Sequence, residues 1–172
     1  MASRNPSKLR SSPHGTQAWL AVVRAYNLCD AAMSARLAEL GLRVGEHEVL
    51  ANLATAPGIT QQQLAARCFV AKSGVSMLLA QMEAQGLVLR EADANDARVK
   101  RLALTRDGQA LAARSLKVQS EVVAAMVEGA TEAELAAVAQ IMQRVSQRLE
   151  ALQQTGLQRA KPALRRARPE GR

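Results

Sequence analysis

Apolar residues recur at helical spacing over most of this chain and alternate in only one short region. The first stripe runs Trp19, Val22, Val23, Tyr26, Cys29, Met33, Leu37 and Leu40, which predicts a long helix capped by Thr16 and stopped at Gly41. A second helix is predicted over about residues 45–54, with Val49, Leu50 and Leu53 turned inward and Arg43 a poor residue to cap its start. Ala56-Pro57-Gly58 reads as a turn. Thr60 and Gln63 form a Thr-x-x-Gln capping box for a short third helix, whose inner face is Leu64 and Ala65. From Ala71 to Gln85, Val75, Leu78, Leu79 and Met82 keep helical spacing, and Gly86 follows as a C-terminal stop.

The period then changes. Residues 87–91 and 99–104 alternate, and the polar stretch 92–98 between them suits a hairpin tip. Thr105 caps a fifth helix expected to reach about Glu128, with Asp107 near its positive end. Gly129 breaks that helix, and Thr131 with Glu134 forms a second capping box. The last helix carries Leu135, Val138, Met142, Val145, Leu149 and Leu152, and gaps of 3, 4, 3, 4 and 3 make a seam that wants a partner helix. Gly156 is expected to end it. The fold class is therefore mainly α with a small β-hairpin wing: a winged helix-turn-helix lobe plus long helices. The second helix of such a turn is shaped to enter a DNA major groove.

Composition narrows the picture. With 172 residues, 48% hydrophobic and 2% aromatic, the chain suits one domain whose core is Ala, Leu, Val and Met, as in helices. No apolar run approaches the roughly 20 residues needed to cross a bilayer. The start has charge but no apolar stretch behind it, so no signal peptide is expected. Cys29, Cys68, His14 and His47 make no metal-ligand spacing, and no metal or other cofactor is expected. A reducing cytoplasm is the natural home. Without a nucleophile–base set or a Gly-rich phosphate loop, an enzyme is not expected either.

The net charge of +8 sits at the ends. Residues 1–15 carry +3 from Arg4, Lys8 and Arg10, and residues 157–172 carry +5 from six basic residues against Glu170. Residues 16–156 sum to zero, so the high pI says little about the folded body. Both ends read as disordered basic tails.

The residues Leu64-Ala65, Val70-Ala71-Lys72-Ser73 through Val75-Ser76, Leu78-Leu79 with Glu83, and Gly86-Leu87-Val88 resemble the MarR family of bacterial transcription regulators. The wing is the more specific part: Asp96-x-Arg98, then Leu102-x-Leu104-Thr105-x-x-Gly108. The resemblance covers roughly Trp19 to Leu152. It implies a homodimer on double-stranded DNA, with residues 16–41 and 105–156 forming dimerisation helices around a lobe at 45–104. Lys72, Ser73 and Ser76 would lie on the exposed face of the recognition helix, in reach of phosphates or base edges. Arg98 resembles the family arginine that enters the minor groove, held by Asp96 through a charge-assisted hydrogen bond. Lys100 and Arg101 would meet flanking phosphates.

Four departures matter. Met77 and Gln81 stand where the family often has arginine, which removes two guanine readers and shifts weight to apolar contacts or shape. Arg43 stands where the family usually has Ser or Thr. His47 stands where an aromatic residue is common. Family dimers hold small, often aromatic, ligands between the dimer helices and the DNA-binding lobe, and Trp19, Tyr26 and His47 are the candidates to line such a pocket. Burial in the core is the plainer reading of each.

The expected function is a ligand-relieved dimeric repressor on a pseudo-palindromic operator, with no membrane association. One alternative is a low-specificity DNA-packaging protein using the tails. Another is a redox switch at Cys29 on the same scaffold. Peroxide-sensing relatives place their thiol nearer the helix start, however, about where Trp19 lies, and Asp30 disfavours a thiolate here. Cys68 reads as packing.

Overall fold

The computed structural model describes residues 13–68, 72–93, 96 and 98–166. The elements are α1 (Pro13–Ala38), α2 (Val44–Thr55), α3 (Gln61–Arg67), α4 (Lys72–Ala84), β1 (Val88–Ala92), β2 (Lys100–Leu104), α5 (Arg106–Met126) and α6 (Glu132–Arg166). The chain divides into two units, one ending at Met126 and the other beginning at Val127.

In the first unit, α2 packs against α1 and α5, and α3 and α4 form the helix-turn-helix beside α2. The core is the inward face of these helices: Leu37, Val49, Leu50, Leu53, Leu64, Val75, Leu79 and Met82, closed by Val88 and Leu102 of the hairpin. These are the positions that helical and alternating spacing singled out. The hairpin is antiparallel, with Val88 opposite Leu104 and Ala92 opposite Lys100.

Short-range capping explains most helix ends. Thr60 Oγ1 accepts from Gln63 N at 3.2 Å, and Gln63 Oε1 accepts from Thr60 N at 2.8 Å. Gly86 has φ +69°, a left-handed turn that admits glycine without a Cβ penalty. Thr105 does two jobs: its hydroxyl accepts from Gly108 N at 2.9 Å and donates to Gly86 O at 2.7 Å. A Cβ on Gly108 would sit 2.0 Å from Leu87 O, so α5 reaches the start of β1 only because position 108 has no side chain.

Two boundaries, the start of α1 and the end of α6, differ from the sequence expectation. The first helix starts at Pro13, three residues before Thr16, because proline suits a first helical turn whose N–H groups have no partner anyway. The start of α2 has the weak cap expected: Arg43 offers no side-chain acceptor to the first turn, and only the return half of a capping box forms, Glu46 Oε2 accepting from Arg43 N at 2.8 Å. In the second unit, Thr131 and Glu134 form the expected box, with Thr131 N donating to Glu134 Oε2 at 2.8 Å. But α6 runs past Gly156 to Arg166. A single interior glycine costs only about 1 kcal/mol, too little to stop a helix with good helix formers on both sides. The basic stretch expected as a tail from residue 157 is thus helical as far as Arg166. Residues 1–12 and 167–172 lie outside the described residues.

Candidate nucleic-acid interface

The wing presents Arg98 outward. Its side chain is 91% exposed, and Asp96 grips it from below, Oδ1 accepting from Nε at 3.0 Å and Oδ2 from Nη2 at 3.2 Å. Asp96 Oδ1 also accepts from Arg98 N at 3.0 Å, which fixes the backbone under the side chain. These side-chain and backbone hydrogen bonds from Arg98 hold the Asp96 carboxyl below its ordinary value. The result is an exposed cation paired with a carboxylate of its own hairpin tip.

Arg101 is engaged within the chain. Its Nε donates to Asp93 and its Nη1 to Gly58 O at 3.1 Å. The backbone reinforces this seam: Leu102 N donates to Ile59 O and Gly58 N to Leu102 O, each at 2.9 Å. Arg101 therefore stitches the wing to the loop before α3. Flanking Leu102, which is buried, it turns toward the body, whereas Lys100 at the strand start is exposed.

Lys72 and Ser73 occupy the first turn of α4. Ser76 follows on an exposed position, where its Oγ accepts from Gln61 Nε2 at 2.6 Å. Its own hydrogen is left to donate. Gln81 is not a spare base reader. Its Oε1 accepts from Arg43 Nη2 at 2.8 Å and its Nε2 donates to Glu46 Oε1 at 3.2 Å. Arg43 Nη2 also donates to Glu46 Oε1 at 3.0 Å, closing a ring that ties α4 to the start of α2. Burial pushes the Glu46 carboxyl up, but the Arg43 hydrogen bonds outweigh it and hold it below its ordinary value. Sequence reasoning missed this ring because its members are 35 or more positions apart on one side. The signal available was Arg43 and Glu46 at i, i+3.

Two concavities lie behind the lobe. One, about 260 Å³, is lined by Cys29 and Met33 of α1, by His47 and Asn52 of α2, by Arg67 at the end of α3 and by Gln119 of α5. His47 is buried, and burial pushes its imidazole below the ordinary value while the Gln119 hydrogen bond acts the other way. Asn52 Nδ2 reaches Cys68 Sγ at 3.9 Å, so this wall adjoins the helix-turn-helix turn. The other, about 710 Å³, is an apolar groove between α1 and α5 walled by Leu28, Ala32, Val122 and Met126. Trp19 and Tyr26 line neither. They are 61% and 67% exposed on the outer side of α1, so the three pocket candidates are not brought together within this unit.

Both thiols are free. Cys68 is buried, and that burial, with the Glu48 charge second, pushes its thiol up and away from reactivity. Cys29 is half-buried and borders both concavities.

A sequence model of the MarR family matches residues 40–99, the segment that holds α2, the helix-turn-helix and the wing up to Arg98. Over those residues the chain is similar to the MarR family. It is 28% identical over 111 residues to an HTH-type transcriptional regulator of Bacillus cereus, covering 64% of this chain and 74% of that one. Among solved structures it resembles AbsC, a MarR family transcriptional regulator from Streptomyces coelicolor, with a TM-score of 0.75 at 21% identity over 83% of this chain and 98% of that one. It also resembles BpsR of Bordetella bronchiseptica, whose DNA binding is regulated by 6-hydroxynicotinic acid, with a TM-score of 0.66 at 20% identity over 76% and 98% of the two chains. No described helix is long and apolar enough to cross a membrane.

Proposed function

We propose that this protein is a MarR-type transcription regulator: a dimeric, sequence-specific repressor whose hold on DNA is released by a small aromatic ligand. The observation that carries the DNA half is Arg98: a guanidinium 91% exposed, pinned at two points by Asp96, at the tip of a hairpin. Such a group suits the negative potential of a narrow minor groove while α4, with Lys72, Ser73 and Ser76, lies in the adjacent major groove. Lys100 meets a flanking phosphate. Two lobes in a dimer would address half-sites about one helical turn apart. Support for the dimer is the exposed apolar surface of each unit. It is Trp19, Val22, Val23 and Tyr26 in one, and Val138, Val145, Leu149 and Leu152 in the other. Leu135 and Met142 complete the predicted seam.

The concavity at His47 is the ligand candidate. At about 260 Å³ it suits a single ring rather than a drug-sized molecule. Because Arg67 and Asn52 form part of its wall, an occupant touches the end of α3 and would favour a lobe position that no longer fits successive grooves. The named ligand of BpsR is a single-ring acid of that class.

The test is enrichment of randomised duplexes by the full chain, followed by footprinting. An inverted repeat protected at discrete sites is expected, with 6-hydroxynicotinic acid or salicylate weakening the complex. Uniform coverage without enrichment would favour a packaging protein that works through its basic ends.

A further inference from the structure

We infer that this protein reads the 5-methyl groups of thymine through an apolar strip, Met77 with Ala80, at the centre of α4. The inference rests on the reading that α4 lies in the major groove. Beyond its first turn, α4 exposes three polar side chains among the described residues, and each is engaged within the chain. Ser76 is held by Gln61 at 2.6 Å, Gln81 by Arg43 at 2.8 Å and by Glu46 at 3.2 Å, and Glu83 by Arg90 at 3.1 Å. The first two partners belong to the starts of α3 and α2, so the flanks of the recognition helix are tied back to the helices that support it. What stands free between them is Met77, 74% exposed, with Ala80 one turn on and also exposed. Residues three apart share a helix face.

An exposed methionine is the wrong group for a guanine edge, which offers only acceptors in the major groove, and the right one for a thymine methyl, which offers only apolar contact. Its unbranched, polarizable side chain adapts to a methyl whose position shifts with local DNA geometry. Ala80 is small enough to let the helix approach closely beside it.

Thymine and deoxyuridine pair identically and differ by that one methyl, so the experiment uses them. Duplexes enriched from a random pool by the full chain are remade with deoxyuridine at each thymine in turn. One or two positions in each half-site should then weaken binding about fourfold each, the loss of one buried methyl. The Met77→Ala protein should bind the thymine duplex several-fold more weakly and be indifferent to deoxyuridine at those same positions. Met77→Arg should move the preferred base there from thymine to guanine when the selection is repeated. Because Met77 is exposed, neither change threatens the fold, and unchanged melting curves establish that. Tolerance of every deoxyuridine, or undiminished methyl sensitivity in Met77→Ala, would overturn the inference while leaving sequence-specific binding intact. A selection that enriches nothing would remove the DNA reading itself and this inference with it.

Discussion

Arg98 and Arg101 are three residues apart on one hairpin and differ in their surroundings: Arg98 is exposed, whereas Arg101 is tied to Asp93 and Gly58. On the proposed function, Arg98→Ala should lower operator affinity by about 1–3 kcal/mol at fixed salt with the melting temperature unchanged. Arg101→Ala removes the stitch to Asp93 and Gly58, so urea unfolding should show a loss of about 1–3 kcal/mol, with any affinity loss following from stability. The Asp-x-Arg motif made the pairing of Asp96 with Arg98 legible from the sequence. Arg101 was not, because a charge in a strand does not announce which way it turns; only the pairing of Thr60 with Arg101 across the lobe decides that. His47 makes a further prediction. Its folded value lies below the ordinary 6.5, so the unfolded chain takes up a proton first as pH falls. Stability is complete above 6.5 and declines on acidification from there toward the lower folded value. Melting curves of His47→Leu should lose that decline; an equal decline would assign the proton uptake elsewhere.

At the scale of elements, the Leu-Thr-x-x-Gly motif turns out to be a joint. Thr105 caps α5 and holds Gly86, while Gly108 admits the backbone of Leu87. Gly108→Ala brings a methyl to 2.0 Å from a backbone oxygen, where no side chain can yield. It should cost about 1–3 kcal/mol or more in a urea titration, far beyond the helix propensity that alanine gains. An unchanged midpoint would mean that α5 is not seated on β1 in this way. Element order, both hairpin strands and the capping boxes were legible because each depends on residues within four positions of one another. The weak cap at Arg43 was legible too, since a guanidinium cannot accept; Glu46 binds the Arg43 N–H and not the free N–H groups of the first turn. The end of α6 was hidden because Gly156 is a weak stop, and the neighbours decided the outcome.

For the whole molecule, the unpaired apolar surfaces and the placement of charge set the expectations. Leu149→Asp would put a carboxylate into the seam of α6, and sedimentation should then show a lighter species. An unchanged dimer mass would take α6 out of the interface. Residues 16–156 carry no net charge, so counterion release has to draw on Lys72, Arg98 and Lys100 locally and on the ends of the chain beyond them. Each phosphate neutralised adds about 0.9 to the salt slope. Replacing Arg165, Arg166 and Arg168 by Gln should flatten that slope and weaken random-duplex binding at least as much as operator binding. An unchanged slope would confine DNA contact to the lobes.

The most direct test of the central claim is hydroxyl-radical footprinting of the full chain on an enriched duplex. Two symmetric patches of minor-groove protection, about one helical turn apart, are predicted. Arg98→Ala should erase them and leave the major-groove contacts of α4 in place. Protection spread evenly along the duplex, or patches that persist without Arg98, would contradict the account.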